Sequence, residues 1–272
     1  MNLESLEHFA PPSLFSYSLT AMESTQVSSR ASDQFLKFEV SLPSGRCETV
    51  EVSWSCTIAD LNRAAQQSLG QRFLRLAAPD GRLLDSTDSL EVSQLQDGDS
   101  LTAVALQPKI AATWAAFAFW CLGGDRVVTW GHPARGGDGS SVQDQLRNVQ
   151  QICAAQSAFA AILADGSVVT WGNPAYGGDS AAVQDQLRNV QRICNTARAF
   201  AAILADGGVV TWGRANHGGD SSNVQEQLRN VQKIYGTDNA FAAVLADGSV
   251  VTWGHQHHGG NSSRVQDQFS LV

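Results

Sequence analysis

The chain has 272 residues, of which 43% are hydrophobic and 16% are charged, and its formal net charge is −8. At about 150 residues per domain this length favours two domains and excludes a single small disulfide-stapled module. The acidic balance argues against nucleic acid and anionic membranes as partners, because binding to phosphate depends on Lys and Arg displacing counterions.

The cysteines and the N-terminal residues bear on the compartment. Five cysteines, an odd number with no Cys-x-x-Cys pair, indicate neither a disulfide framework nor a zinc site. Glu4 and Glu7 stand where a secretory signal carries positive charge, and no apolar run follows them. No stretch approaches the roughly 18 apolar residues that cross a bilayer. We therefore expect a cytoplasmic protein, with the nucleus as the alternative compartment.

The N-terminal third divides into a tail and a small domain. Residues 1–33 are rich in Ser and lack hydrophobic periodicity, so a flexible tail is predicted. Two alternating apolar runs then flank the turn Pro43-Ser-Gly-Arg, a pattern typical of a β-hairpin. Thr57 and Asp60 are spaced to cap a following helix. With later strands, residues 34–107 are predicted to form a two-layer α+β domain.

This domain resembles the ubiquitin-like β-grasp family. Cys56-Thr-Ile-Ala-Asp-Leu is similar to the start of the family's helix, and Leu95-Gln-Asp-Gly-Asp-Ser-Leu-Thr-Ala-Val is similar to its last turn and strand. Ubiquitin-like modifiers end in a free Gly-Gly carboxylate, whereas Leu106 continues here into Gln107-Pro108, so conjugation is not expected. Arg75 also departs from the aliphatic patch on ubiquitin's third strand. The resemblance implies a recognition surface.

The second half of the chain repeats with a period of 41 residues. The tripeptide Thr-Trp-Gly places its tryptophans at positions 130, 171, 212 and 253. In the last three copies an Asp-Gly pair lies between two apolar runs, which predicts tight β-hairpins with φ > 0 at their central residues. A fixed period of this length is typical of a propeller or a solenoid, here with about three short strands per repeat.

The repeat resembles the regulator-of-chromosome-condensation type, whose hallmark is an aliphatic strand, Asp-Gly and a strand ending in aromatic-Trp-Gly. The resemblance covers Lys109 to Val272 and implies a partial β-propeller of four blades over residues 108–272. The family's units are usually longer and carry Gly-Gln-Leu-Gly where this chain has Gly177-Gly-Asp-Ser, so blades of about three strands are expected. Because family propellers typically close with about seven blades, three alternatives stay open: an open arc, a ring completed by a second chain, and a truncated chain, which is slightly favoured.

Catalysis is not expected of near-identical repeats. An active site needs a nucleophile, a base and an orienting partner placed asymmetrically, and the chain has none of the usual hydrolase, phosphate-loop or metalloprotease motifs. Cys153 and Cys194 occupy equivalent positions where the last repeat has Tyr235, which indicates space filling rather than thiol chemistry. No enzyme is therefore predicted, unless a catalytic HECT domain is missing from a truncated chain.

The histidines near the end of the chain are the one local cluster suggestive of a metal. His255, His257 and His258 lie close in sequence, but position 255 aligns with His132, Asn173 and Arg214 and so varies freely. Neither a metal nor a cofactor is expected.

The candidate binding site consists of loop positions that vary between repeats while the flanking Gly pairs stay constant. In an up-and-down meander the loops after the first and third strands emerge at the same edge of the sheet, and binding residues concentrate on loops held by a rigid scaffold. A second variable stretch covers residues 154–157, 195–198 and 236–239. Drift in solvent-exposed loops is the alternative explanation. The predicted partner-binding residues are His132, Arg135, Asn173, Tyr176, Arg214, His217, His255 and His258.

We therefore predict a non-catalytic protein–protein recognition scaffold. Ligases of the HERC type combine such propellers with a HECT domain, so the resemblance implies a ubiquitin-pathway role, as an E3 ligase-like fragment without that domain. Two alternatives stay open: a guanine-nucleotide exchange factor for a small GTPase, which is the activity of the family's founding member, and a self-associating structural repeat protein. Expected partners are ubiquitin-pathway proteins or a small GTPase, and a second copy that completes the propeller.

The charge is unevenly divided between the two halves. Residues 1–107 hold 7 basic and 14 acidic residues, whereas residues 108–272 hold 11 and 12. The repeats are therefore nearly neutral, and their cationic loops are suited to an acidic partner.

Overall fold

The structure, a computed structural model, describes residues 34–271. The predicted tail, residues 1–33, lies outside the described residues. Two compact lobes are present: residues 34–69 with 77–102, and residues 70–76 with 103–271. Within the described part of the chain, no helix is both long enough and apolar enough to cross a membrane.

The predicted hairpin and helix are present near the start of the described chain. Strands β1 (Phe35–Ser41) and β2 (Cys47–Ser53) pair antiparallel. Helix α1 (Ile58–Leu69) follows, and its first turn is capped as predicted. The backbone N–H of Asp60 donates to Thr57 Oγ1 (3.3 Å), and the backbone N–H of Thr57 donates to the Asp60 carboxylate (3.2 Å). Each side chain thereby accepts from the backbone N–H of the other residue, which is the reciprocal pattern of a capping box.

The same sheet is completed by strands further along the chain. β3 (Leu74–Ala77) is followed by the short helix α2 (Leu90–Ser93) and β4 (Ser100–Ala105). The strand order is β2-β1-β4-β3, and β1 runs parallel to β4. Alternate residues of β1 are buried, which gives the sheet one apolar face.

The repeats form four three-stranded antiparallel sheets, each with its second strand in the middle. The first and second sheets are β5 (Gln107–Ala112), β6 (Ala116–Leu122) and β7 (Val127–Gly131), then β8 (Val149–Ala154), β9 (Ala158–Leu163) and β10 (Val168–Gly172). The third and fourth are β11 (Val190–Asn195), β12 (Ala199–Leu204) and β13 (Val209–Gly213), then β14 (Val231–Gly236), β15 (Ala240–Leu245) and β16 (Val250–Gly254). The all-β repeat array with three strands per repeat is confirmed. The described residues do not form a closed propeller.

Neighbouring sheets pack face to face. The core between the first two sheets combines Ala118 and Trp120 of one with Ile152, Phe159 and Trp171 of the other. Equivalent clusters join the second sheet to the third and the third to the fourth. The hydrophobic core of the array therefore lies at the junctions between repeats, as expected of a repeat protein in which no single repeat buries its own faces.

The repeat tryptophans pack at these junctions in three of the four repeats. Trp171, Trp212 and Trp253 are buried, and each indole nitrogen donates to the carbonyl oxygen of a glycine in the preceding repeat. Trp130 of the first repeat does not pack in this way and is 44% exposed. No repeat precedes the first one, so its indole has no such junction to enter.

The Asp-Gly turns differ from the predicted type. Gly166, Gly207 and Gly248 have positive φ, but the aspartates before them do not. The N–H of Gly166 donates to the carbonyl oxygen of Leu163, and Asp165 accepts from the N–H of Ser167. This geometry belongs to a longer hairpin loop that ends in a left-handed glycine, which needs only one residue with φ > 0.

Candidate binding edge of the repeat array

The loops after the first and third strands of every repeat meet at one edge of the array, called here the loop edge. Its segments are residues 113–115 and 132–136 in the first repeat, and their equivalents in the others. A backbone hydrogen bond joins the two loops in each repeat. These bonds are His132 N to Ala115 O (2.8 Å), Asn173 N to Ser157 O, Arg214 N to Arg198 O and His255 N to Asn239 O (each 2.9 Å). The predicted shared edge is thus present.

Threonine side chains reinforce the pairing of these loops. The hydroxyl of Thr196 donates to the carbonyl oxygen of His217 at 2.9 Å, and Thr113 and Thr237 make the equivalent bonds to residues 135 and 258 at 3.1 Å. The second repeat has Ala155 at this place. Sequence reasoning missed this role, although Thr recurs at the same offset inside the variable stretches.

A backbone ladder crosses all four repeats along the loop edge. The N–H of Trp114 donates to the carbonyl oxygen of Gln156 (3.1 Å), that of Gln156 to Ala197 (3.0 Å), and that of Ala197 to Asp238 (3.0 Å). A cavity of about 490 Å³ lies beside this ladder. Because each loop is bonded to its neighbour in the next repeat, the loop edge is a connected scaffold rather than four independent loops.

Five basic side chains gather in the last two repeats and are called here the cationic cluster: Arg198, Arg214, His217, His255 and His258. Burial is the main cause of the lowered pKa of His217, and electrostatic interactions with the other four members lower it further. The rings of His255 and His258 meet edge to face with centroids 4.5 Å apart. The charges of Arg198 and Arg214 therefore give this part of an otherwise nearly neutral array a local positive potential.

Polar neighbours orient the cluster. Asn216 Oδ1 accepts from Arg214 Nε (3.0 Å) and lies 2.7 Å from His217 Nδ1. Asn239 Nδ2 lies 2.7 Å from His258 Nδ1. Nδ1 of His255 is buried and has no hydrogen-bond partner among the described residues.

The eight predicted residues do not form a single site. Arg214, His217, His255 and His258 belong to the cationic cluster. Tyr176 joins it through Arg198, whose guanidinium carbon lies 4.9 Å from the centre of the Tyr176 ring.

The other three predicted residues stand apart. The Asn173 side chain caps its own loop by accepting from the N–H of Ala175 (2.9 Å). His132 is exposed and Arg135 is half-buried. Among the described residues, no ion pair, side-chain hydrogen bond or ring contact links His132 or Arg135 to the cluster.

Sequence reasoning missed Arg198 as a central member of the cluster. It lies in the second variable stretch, after the first strand of its repeat, and only the pairing of the two loops brings it beside positions 176 and 217. The signal available in the sequence was a cation in that stretch of one repeat alone.

The repeat cysteines fit structural roles. The thiols of Cys153 and Cys194 donate to the carbonyl oxygens of Ile193 (3.2 Å) and Ile234 (3.0 Å) in the next repeat. Burial raises the pKa of Cys153 to about 11. Across residues 34–271, the side chains described include no group of three or more His, Cys, Asp or Glu able to hold a metal ion.

Comparisons with known proteins assign no family. No family model matches the chain, and no curated protein matches it. A de novo designed protein based on ubiquitin is 25% identical over 27% of this chain and 90% of its own, with a TM-score of 0.25. Human WBSCR16 is 19% identical over 55% of this chain, with a TM-score of 0.39, and the match spans 48% of its length. A structure of SUMO mimicry in DNA repair is 19% identical over 26% of this chain and 91% of its own, with a TM-score of 0.24.

Proposed function

We propose that the chain is a non-catalytic protein–protein recognition scaffold whose loop edge binds an acidic segment of a partner. The observation that carries this proposal is the cationic cluster, in which two arginines and three histidines lie together on bonded loops. Complementary charge speeds association and selects among partners.

Arginine gives the cluster specificity beyond its charge. A guanidinium offers a planar fork of donors that matches a carboxylate. Arg198 is held over Tyr176, and Arg214 by Asn216. Both side chains are therefore ordered before a partner arrives, which reduces the entropy lost on binding.

Binding of a short fluorescein-labelled Glu-rich peptide, followed by anisotropy, tests the proposal. We expect the wild type to bind this peptide and not a Lys-rich one of equal length. The double variant Arg198→Ala/Arg214→Ala is expected to weaken binding by about 100-fold or more, because it removes two charged hydrogen bonds worth roughly 1.5 kcal/mol or more each. Arg188→Ala, which removes an exposed arginine outside the loop edge, is the matched control. Equal losses in the two variants would overturn the proposal.

We further propose that residues 34–107 are a ubiquitin-like β-grasp domain and that residues 108–272 are condensation-type propeller repeats. The strand order with a parallel central pair, and the helix that follows the first hairpin, support the first assignment. Four three-stranded sheets with a period of 41 residues support the second. Together they favour a scaffold in the ubiquitin pathway, similar to a HERC-type ligase without its HECT domain.

Two assays separate this pathway from nucleotide exchange. A pulldown with purified ubiquitin-pathway proteins is expected to retain at least one of them through the loop edge. A nucleotide-release assay with small GTPases is expected to show no acceleration. Fast release from one GTPase would contradict the ubiquitin-pathway assignment and favour exchange activity.

A further inference from the structure

Among the described residues, no further sheet covers one apolar face of the first sheet or one apolar face of the last sheet. The front face consists of Ile110, Phe117, Phe119, Val128 and Trp130 on the first sheet. The back face consists of Tyr235, Ala242, Val244 and Val250 on the last sheet, together with the adjacent Gly259. The contacts at the interior junctions indicate which kind of surface would pack against each of these faces.

Every interior junction repeats the same contact between an aromatic pair and a glycine. Trp171 Nε1 donates to the carbonyl oxygen of Gly136 at 3.1 Å, and the two later junctions repeat this bond at 3.0 Å. The phenylalanine stacked on each tryptophan covers the same glycine. A Cβ placed on Gly136 would lie 2.6 Å from the ring of Phe159.

The front face has the equivalent aromatic pair, Phe117 and Trp130, but no glycine of a preceding repeat packs against it among the described residues. Its residues Ile110, Phe117, Val128 and Trp130 are 41–59% exposed, whereas their counterparts in the second repeat are at most 7% exposed. The rings of Phe117 and Trp130 already stack with centroids 5.2 Å apart, as the buried pairs do at 5.0–5.3 Å. Terminal repeats of an array usually present a polar outer surface, and this one does not.

The back face has the equivalent glycine, Gly259. Gly259 has a φ of +102°, close to the +86° to +92° of the three interior glycines. A Cβ placed on it would meet nothing within 4 Å, because no following repeat covers it among the described residues. Gly259 therefore has the backbone conformation of the interior junction glycines, but no aromatic ring covers it among the described residues.

We propose that the front face of one chain docks on the back face of a second copy, head to tail. In this contact Trp130 Nε1 of one copy donates to the carbonyl oxygen of Gly259 of the other. The N–H of Asp238 continues the backbone ladder to the carbonyl oxygen of Trp114 in the neighbouring copy. The contact uses two different surfaces, so it is heterologous and leaves one face open at each end of a pair.

At two positions, the side chains at this proposed contact differ from those at the interior junctions. Phe119 stands where the later repeats have Ala161, Ala202 and Ala243, and the ring centroid of Phe73, in the same lobe, lies 5.5 Å from its own. Tyr235 stands where the second and third repeats have cysteine and the first has Ala111. Because both side chains are larger than those of the interior junctions, we expect the sheets to approach less closely and association to be reversible and concentration-dependent.

Sedimentation velocity with one-face variants tests the contact. Val128→Glu blocks the front face and Tyr235→Glu blocks the back face; both residues are more than half exposed, so the fold is expected to survive. Val92→Glu, at a valine on α2 that is 65% exposed, is the matched control. Near-ultraviolet circular dichroism checks that each variant is folded.

The wild type and Val92→Glu are expected to increase in mass with concentration, and each blocked variant is expected to stay a monomer. An equimolar mixture of the two blocked variants should form a one-to-one pair and nothing larger, because it retains one intact front face and one intact back face. A monomeric wild type would overturn the proposal. So would self-association of either blocked variant, or a mixture that stays monomeric while the wild type associates.

Discussion

The indole nitrogen of Trp171 donates a hydrogen bond to the carbonyl oxygen of Gly136, which belongs to the preceding repeat. Both groups are buried at the junction between two sheets, where neither has access to water as an alternative partner. Each of the later repeats therefore contributes a tryptophan to the core that it shares with the repeat before it. The equivalent tryptophan of the first repeat, Trp130, is exposed. The stability of the array accordingly depends on its junctions.

Replacing a junction tryptophan by phenylalanine should reveal this dependence. Trp212→Phe leaves the buried carbonyl of Gly177 without its donor, so we expect a loss of about 1–3 kcal/mol in the free energy of unfolding. Trp130→Phe, at the equivalent exposed position, should change it by less than about 0.5 kcal/mol. Denaturant unfolding of dilute protein measures both. Equal losses would show that the indole hydrogen bond does not stabilise the junctions.

Comparing alanine variants of two equivalent glycines measures how closely the phenylalanine ring packs on the junction glycine. Gly177→Ala and Gly259→Ala both place a side chain at positive φ, which costs about 1–2 kcal/mol. Only the first also drives a Cβ into the ring of Phe200, at 2.6 Å. We expect Gly177→Ala to be the more destabilising by about 1–3 kcal/mol, as measured by denaturant unfolding. A difference near zero would contradict the close packing of Phe200 on Gly177.

Some features of the fold and of the candidate site can be predicted from the sequence, whereas others depend on how the sheets and loops pack together. The hairpin, the capped helix and the loop edge are local or periodic features, and the alternation of residues and the spacing of Thr57 and Asp60 determine them. The exposure of Trp130 is not local, because an end repeat has the same sequence pattern as an interior one. Arg198 joins the cationic cluster only through the pairing of two loops, which a list of aligned positions does not contain.

The repeat cysteines should differ sharply in reactivity from the exposed one. With its pKa raised to about 11 by burial, Cys153 holds about 100-fold less thiolate at pH 8 than a thiol with the ordinary value of 9.0. Cys47 is exposed. Iodoacetamide labelling followed by peptide mass spectrometry should modify Cys47 first and leave Cys153 unmodified until denaturant is added. Equal rates in the folded protein would contradict the buried, space-filling role.

The titration of His217 reports on the cationic cluster. Burial first, and then Arg198, Arg214 and the two nearby histidines, lower its pKa below 6.5. The unfolded chain therefore binds this proton more readily, and the contribution of His217 to stability falls as the pH drops through 6.5 toward the lowered value. Arg214→Ala should raise the pKa in an NMR titration of the imidazole, whereas Arg188→Ala should not. A pKa unchanged by Arg214→Ala would contradict the proposed clustering.

The location of the acidic-peptide site tests the central claim most directly. A titration of isotopically labelled protein with the Glu-rich peptide, followed by amide NMR shifts, is expected to move residues 195–198, 214–217 and 255–258. The Asp-Gly turns at the opposite edge, and residues 34–105, are expected to stay unchanged. Shifts confined to either of those regions, or no shifts at peptide concentrations that saturate the anisotropy signal, would contradict recognition by the loop edge.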